Sequence, residues 1–395
     1  MSDTPDVSLA QRRLVITTLA LFLSYLAVAM ALPVVPVYVT QQLGMSNAAG
    51  GLAVGIAFLS TILTRNLAGG LADRRGSRYA MLRGLAIYTA ACLLCLVSAL
   101  PGLHALVAYG VLIAGRLLLG LGESLVIVAT ISWGIGLMGP SRSGKVMALV
   151  GAAMYGAFAV GGPLGLVLLH NVGFAWLMAV CATLPIIGAG LVRGVPEVQP
   201  QGGKRESFWR ILGRIWLPGA AVGLQGVGFA ALGAFISLYF LSRGWPYAGL
   251  GLTCFGAGFV VVRLLFGHLP DRIGGTPVAI VSLVVEAAGQ YLLWLAPGPG
   301  LALLGALLTG LGCSMVFPAM GSEVVKRMPP QLRGTAVGGF AAFQDLAYGA
   351  TGPVTGLVAD HMGYGVVFLI GGLAATLGIC AALAAHREAL AVAAR

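Results

Sequence analysis

"GGLADRRGSR", residues 69–78, places one aspartate and three arginines together in a chain of 395 residues of which only 9% are charged. A related stretch, "GHLPDRIGGT", begins at Gly267. Asp73 and Asp271 stand 198 positions apart, and so do Arg65 and Arg263, two helical turns earlier. One short charged phrase thus occurs twice, at nearly half the chain length.

Other landmarks repeat around it. "GRLLLGLGES" from Gly115 returns as "GALLTGLGCS" from Gly305, and "GGPLG" from Gly161 as "TGPVTG" from Thr351, both 190 positions on. Landmarks recurring in the same order mark a duplicated unit. The stretch between the copies, "VRGVPEVQPQGGKRESFWR" (192–210), is rich in proline, glycine and charge and reads as a linker. The expected division is 1–193, a linker at 194–208, and 209–395.

Composition says what the units are made of. Hydrophobic residues make up 58% of the chain, and the mean hydropathy is +0.95, whereas a soluble domain keeps roughly a quarter of its residues charged. Apolar runs of about 20 residues cross the hydrocarbon layer as helices. Twelve such runs are expected, at about 14–39, 48–71, 79–100, 104–137, 143–169, 174–193, 209–241, 247–269, 276–296, 300–326, 331–359 and 363–386. They are continuous rather than alternating, which excludes a barrel. The expected fold is an all-α membrane protein of two six-helix bundles. The sixty glycines suit helices that pack closely in lipid.

The formal charge of +11 follows topology. With the N-terminus inside, the inner loops and tails take nearly all the Lys and Arg, and the outer loops hold only Arg243. That asymmetry is the positive-inside rule; it places both termini in the cytoplasm and removes the case for nucleic acid. The first apolar run is too long for a signal core and is expected to be retained. All six cysteines fall in apolar spans, where core packing is the expected role, including for the Cys92-x-x-Cys95 pair.

Six plus six helices, with G-x-L-a-D-r-x-G repeated after helices two and eight, resemble the major facilitator superfamily of secondary transporters. Within it, "GRLLLGLGES", "YGAFAVGGPLG" and "FPAMGSEVVKRMPPQ" look similar to the bacterial YhhS/YfcJ group, labelled arabinose-efflux-like. The resemblance implies a cytoplasmic latch at Gly69, Asp73, Arg74, Gly76 and Arg78, with a second copy at Gly267, Asp271, Arg272 and Gly274. Asp73 would accept hydrogen bonds from the first turn of helix eleven near Pro330 and Gln331, and Asp271 from helix five near Ser143. The plain alternative is a solvated turn enriched in arginine. The second copy has lost its basic pair to Gly275 and Thr276, so its latch is expected to be weaker.

A charge at a helix centre costs about 2.5–3.5 kcal/mol on insertion scales, so each needs a partner or a purpose. Arg116 falls on the superfamily's helix-four motif R-x-x-x-G, an arginine associated with proton coupling, and Glu123 follows two turns later on nearly the same face. Either this pair couples protons or it is a permanent ion pair. Asp345, near the middle of helix eleven, handles protons or substrate, or makes a fixed interhelical hydrogen bond. Arg263 and Glu286 lie at similar depth and are expected to form a structural ion pair. Tyr25, Tyr155, Gln225, Tyr239 and Gln344 are candidate cavity-lining residues. Gly162–Pro163 and Gly352–Pro353 should bend helices five and eleven or pack them tightly.

No phosphate-binding loop, metal-ligand cluster or catalytic triad can be read. The expectation is a non-enzymatic, monomeric transporter in a bacterial inner membrane, without cofactor or metal, driven by protons and moving a small molecule outward through lipid. "YGAFAVGGPLG" partly matches the glycine-proline motif of antiporters. Proton-driven uptake is the first alternative, and a non-transporting sensor or scaffold a remote one.

Overall fold

The computed structural model describes residues 7–139, 142–198, 208–328 and 333–393, and these contain long helices and no strand. Helix α1 (Val7–Val37) ends in a π-helical turn, Tyr38–Gln42, shortly after Pro33 and Pro36. It is followed by α2 (Asn47–Arg75), α3 (Ser77–Val97) and α4 (Ala105–Met138). The stretch Ser143–Val192 is interrupted at Gly173, whose φ of 81° and ψ of 174° lie outside the helical region. Its two arms are α5 (143–172) and α6 (174–192). Then come α7 (Phe208–Ser242), α8 (Leu250–Phe266), a single turn Leu269–Ile273, α9 (Gly275–Leu295), α10 (Pro299–Lys326), α11 (Arg333–Met362) and α12 (Tyr364–Ala393). Nine described helical stretches are long and apolar enough to cross a membrane.

The repeated phrase has the same backbone shape in both copies. Gly76 (φ 89°, ψ 156°) precedes α3 and Gly274 (φ 93°, ψ 152°) precedes α9. A side chain rarely tolerates positive φ, which accounts for a glycine at both places. The helix before each copy ends differently. Helix α2 runs on through Asp73 and Arg75, beyond the boundary expected from hydropathy. Helix α8 stops at Phe266, because Pro270 has no N–H and its ring would clash with the carbonyl four residues back.

By contacts the chain divides into two compact units, Met1–Tyr38 with Ile56–Gly202, and Val39–Gly55 with Gly203–Arg395. This differs from the division read from sequence in the segment 39–55, which groups with the second unit. In that unit a Cβ on Gly51 would strike Gly352, and one on Gly55 would strike Gly349. Asp360 accepts from Asn47 N (2.9 Å), Asn47 Nδ2 (2.8 Å) and Ala48 N (3.1 Å), closing the first turn of α2. Of the linker expected at 194–208, residues 199–207 lie outside the described residues.

Within the first unit, α1 and α3 both pack on the 143–192 pair, and α3 runs along α4. Within the second, α9 runs along α10 and α12, α8 along α10, and α7 along α11 and α12. The repeat fixes register in both units. A Cβ on Gly115 would meet Cys95 of α3, one on Gly120 would meet Ala57 and Ser60 of α2, and one on Gly122 would meet Gly84 and Tyr88 of α3. Their counterparts do the same: Gly305 faces Gly289 and Leu293 of α9, Gly310 faces Phe255 of α8, and Gly312 faces Ser282 and Glu286 of α9. Small residues at these crossings let backbones approach, which is how helices associate in lipid.

The backbone remains helical through Gly162–Pro163 and Gly352–Pro353. Close packing is the feature seen near both: Gly161 and Gly165 abut Ala29 and Met30 of α1, and Gly352 abuts Gly51.

Candidate functional site

The glycine face that seats α4 against α2 and α3 also carries Arg116 and Glu123 into the interior of the first unit, where they are 1% and 2% exposed. Helix α1 brings Tyr25, also buried, whose hydroxyl donates to Glu123 Oε1 at 2.6 Å. Helix α2 brings Thr61, whose hydroxyl lies 3.4 Å from Glu123 Oε2. That hydroxyl has one proton, and Ala57 O (3.0 Å) and Gly120 O (3.2 Å) compete for it. The Tyr25 bond is therefore the stronger support. The Arg116 guanidinium is within electrostatic reach of Glu123 and of Tyr88, Cys92 and Cys95 on α3. Phe158 of α5 stands edge-on to the Tyr25 ring, with centroids 6.0 Å apart, and fixes its orientation. Four helices thus converge on one acidic group with a buried cation close by, which is a constellation able to bind and release a proton.

The other expected residues lie elsewhere. Asp345 is half-buried on α11, next to Gln344, whose amide donates to Gln225 Oε1 on α7 at 3.1 Å. Tyr155 is buried on α5. Tyr239 is buried on α7, donates to Leu293 O at 3.1 Å, and borders a cavity of about 490 Å³ with Ser242, Arg243, Trp294 and Tyr364.

The expected Arg263–Glu286 pair does not form. Neither carboxyl oxygen of Glu286 has a hydrogen-bond partner among the described residues. The Arg263 guanidinium instead lies 5.8 Å from the centre of the Phe259 ring on its own helix. Depth along the helix matched, but direction did not. Glu286 is fully buried toward α10 and α7, while Arg263 sits on a half-exposed face.

In the first charged phrase, Asp73 is exposed on the last turn of α2. Arg74 Nε donates to Gly70 O at 3.0 Å, and Arg75 lies over the Tyr79 ring. Arg78 donates from its guanidinium to Arg193 O, and from its backbone N to Glu197 Oε2 at 3.0 Å. Pro330 and Gln331, and the side chains of Ser143 and Asp271, lie outside the described residues. In the second phrase, Gly275 N donates to Glu323 Oε1 at 3.0 Å, and Lys326 pairs with that carboxylate at 2.9 Å. Each phrase is thus followed by a helix whose first turn is held by a glutamate, in accord with the helix dipole. Glu197 was not singled out from sequence; its one signal was an acidic residue in a basic linker. Thr61 and Asp360 gave none.

Comparison with known proteins agrees with this architecture. Residues 17–252 and 220–391 match the family model of the Major Facilitator Superfamily. An uncharacterised MFS-type transporter of Salmonella typhimurium is 45% identical over 359 residues, covering 91% of this chain and 92% of the relative. One of Burkholderia mallei is 40% identical, covering 91% and 88%. Among solved structures, a D-xylose–proton symporter superposes with a TM-score of 0.79 at 18% identity, over 94% of this chain and 96% of the other. The nucleoside transporter NupG gives 0.74 at 14%, over 94% and 99%. These likenesses show the fold. With its duplicated six-helix sequence, its helical units and its family match, the chain belongs to the major facilitator superfamily of membrane transporters.

Proposed function

We propose that the protein is a proton-coupled exporter of small organic molecules, acting as a single chain in a bacterial inner membrane with both termini in the cytoplasm. One observation carries the coupling: Glu123 is buried, held by Tyr25, and within reach of the buried Arg116. Ionised, Glu123 balances Arg116 and accepts a hydrogen bond from the Tyr25 phenol. Protonated, it balances Arg116 less, and the guanidinium then favours an arrangement in which another acceptor reaches it. Such a charge exchange can bias a two-state transporter without any cofactor. A proton symporter of the same fold supports proton coupling as chemistry that this architecture accommodates.

The outward direction rests on "YGAFAVGGPLG", which partly matches the glycine-proline motif of antiporters. The substrate is to be found by comparing compounds retained by cells with and without the protein. A compound retained only without it is then offered to inverted vesicles with an acid interior. Accumulation that depends on the gradient supports export. Accumulation only in vesicles of native orientation overturns the outward reading.

A further inference from the structure

The second unit holds a niche matching that of Glu123, with its acid moved to a neighbouring helix. Position 313 corresponds to position 123 in the repeat and is Cys313; position 286 corresponds to Tyr88 and is Glu286; position 306 corresponds to Arg116 and is Ala306. The glycine contacts confirm this register, since Gly122 faces Tyr88 and Gly312 faces Glu286. Gln225 of α7 lies near Cys313. The first unit therefore has an acid with an arginine, and the second an acid whose arginine counterpart is alanine.

Glu286 is 0% exposed, and both its oxygens lack a hydrogen-bond donor, as does Gln290 Oε1 one turn along α9. Three buried acceptors on one helix face thus have no donor among the described residues. The Cys313 thiol approaches Glu286 without the geometry to satisfy either oxygen. Around this stretch of α9, α10 brings Gly312 and Cys313 and α7 brings Gly228 to Glu286, Gln225 of α7 lies near Cys313, and α12 brings Gly371 to Gln290. Of these only Cys313 can ionise. The one-turn helix 269–273 lies at the far end of α9. Among the described residues an ionised carboxylate there would have neither cation nor strong donor, whereas the neutral acid supplies one donor of its own.

We propose that Glu286 is a proton-binding site of the second unit, its carboxyl group holding a proton in this conformation. The space favours a proton over a metal ion. A Cβ on Gly228 would come within 2.5 Å of Oε1, and one on Gly371 would strike Gln290 Oε1. Backbone thus closes on these oxygens where a metal would need several further ligands.

Difference infrared spectroscopy of the purified protein in lipid tests this through the carbonyl stretch of a protonated carboxylic acid. The expected result at neutral pH is a band that is lost in Glu286→Gln and kept in Glu123→Gln. Cys313→Ser provides a second variant: a hydroxyl bonds more strongly than a thiol, and the same band moves to lower frequency. Glutamine has the shape of the neutral acid, so thermal stability should hold. Identical spectra for wild type and Glu286→Gln overturn the proposal. No transported compound is needed, and the Glu286→Gln comparison alone decides the proposal, whatever the Glu123→Gln spectrum says of Glu123.

Discussion

Removing one oxygen atom probes the Glu123 constellation. Tyr25→Phe keeps the ring against Phe158 and deletes the hydroxyl that donates to Glu123 Oε1 at 2.6 Å. That length is within the about 2.5–2.7 Å range of charge-assisted O–H···O bonds, and both residues are 2% exposed, so water cannot replace the lost donor. Interhelical hydrogen bonds in membrane proteins couple by ~0.6 kcal/mol on average and ~1.7 kcal/mol at most. The length and burial place this bond at the upper end, about 1.5 kcal/mol, or roughly a twelvefold change in the unfolding constant. A double-mutant cycle of Tyr25→Phe with Glu123→Gln, measured by denaturant unfolding in mixed micelles, isolates that coupling from packing. Thr61→Ala should couple by less than half as much, because its 3.4 Å contact competes with two carbonyls. A Tyr25–Glu123 coupling below about 0.3 kcal/mol, within the scatter of independent sites, would refute the idea that the phenol holds the carboxylate.

Gly289→Ala would push a Cβ into the backbone at Thr309 N and Gly305 O, and should cost about 1–3 kcal/mol as an overpacked contact. Gly110→Ala meets nothing within 4 Å and should be neutral or stabilising by up to about 1 kcal/mol; melting of the two variants side by side checks both. Asp360→Ala removes the acceptor from the first turn of α2, and should cost about 0.5–2 kcal/mol, seen as faster hydrogen exchange at the Asn47 and Ala48 amides. Glu197→Gln should speed exchange at the Arg78 amide, while the Gly275 amide, held by Glu323, stays unchanged.

Much of the fold could be read from sequence because it is carried by periodic and repeated signals. Apolar runs gave the helices, and the 190- and 198-residue spacings matched glycines that make equivalent contacts in the two units. Gly173 divides a continuous helical stretch where sequence had already placed a short connection. Side-chain direction around a helix was harder. Arg263 and Glu286 agree in depth, yet depth along a helix says nothing of rotation about its axis, and the pair failed. Tyr25 was named for its polarity in an apolar run, but its partner lies 98 positions away, and no local pattern links them. Residues 39–55 group with the second unit, where Asp360 meets Asn47, 313 positions apart, and Gly352 abuts Gly51; hydropathy placed Asn47 and Asp360 near span ends and gave no reason to join them.

The central claim is that protonation of Glu123 drives transport. Inverted vesicles energised to be acid inside test it directly, using the compound retained by cells that lack the protein. Wild-type protein should accumulate that compound, whereas Glu123→Gln should equilibrate it without accumulation. Equal gradient-dependent accumulation by the two proteins would contradict the account.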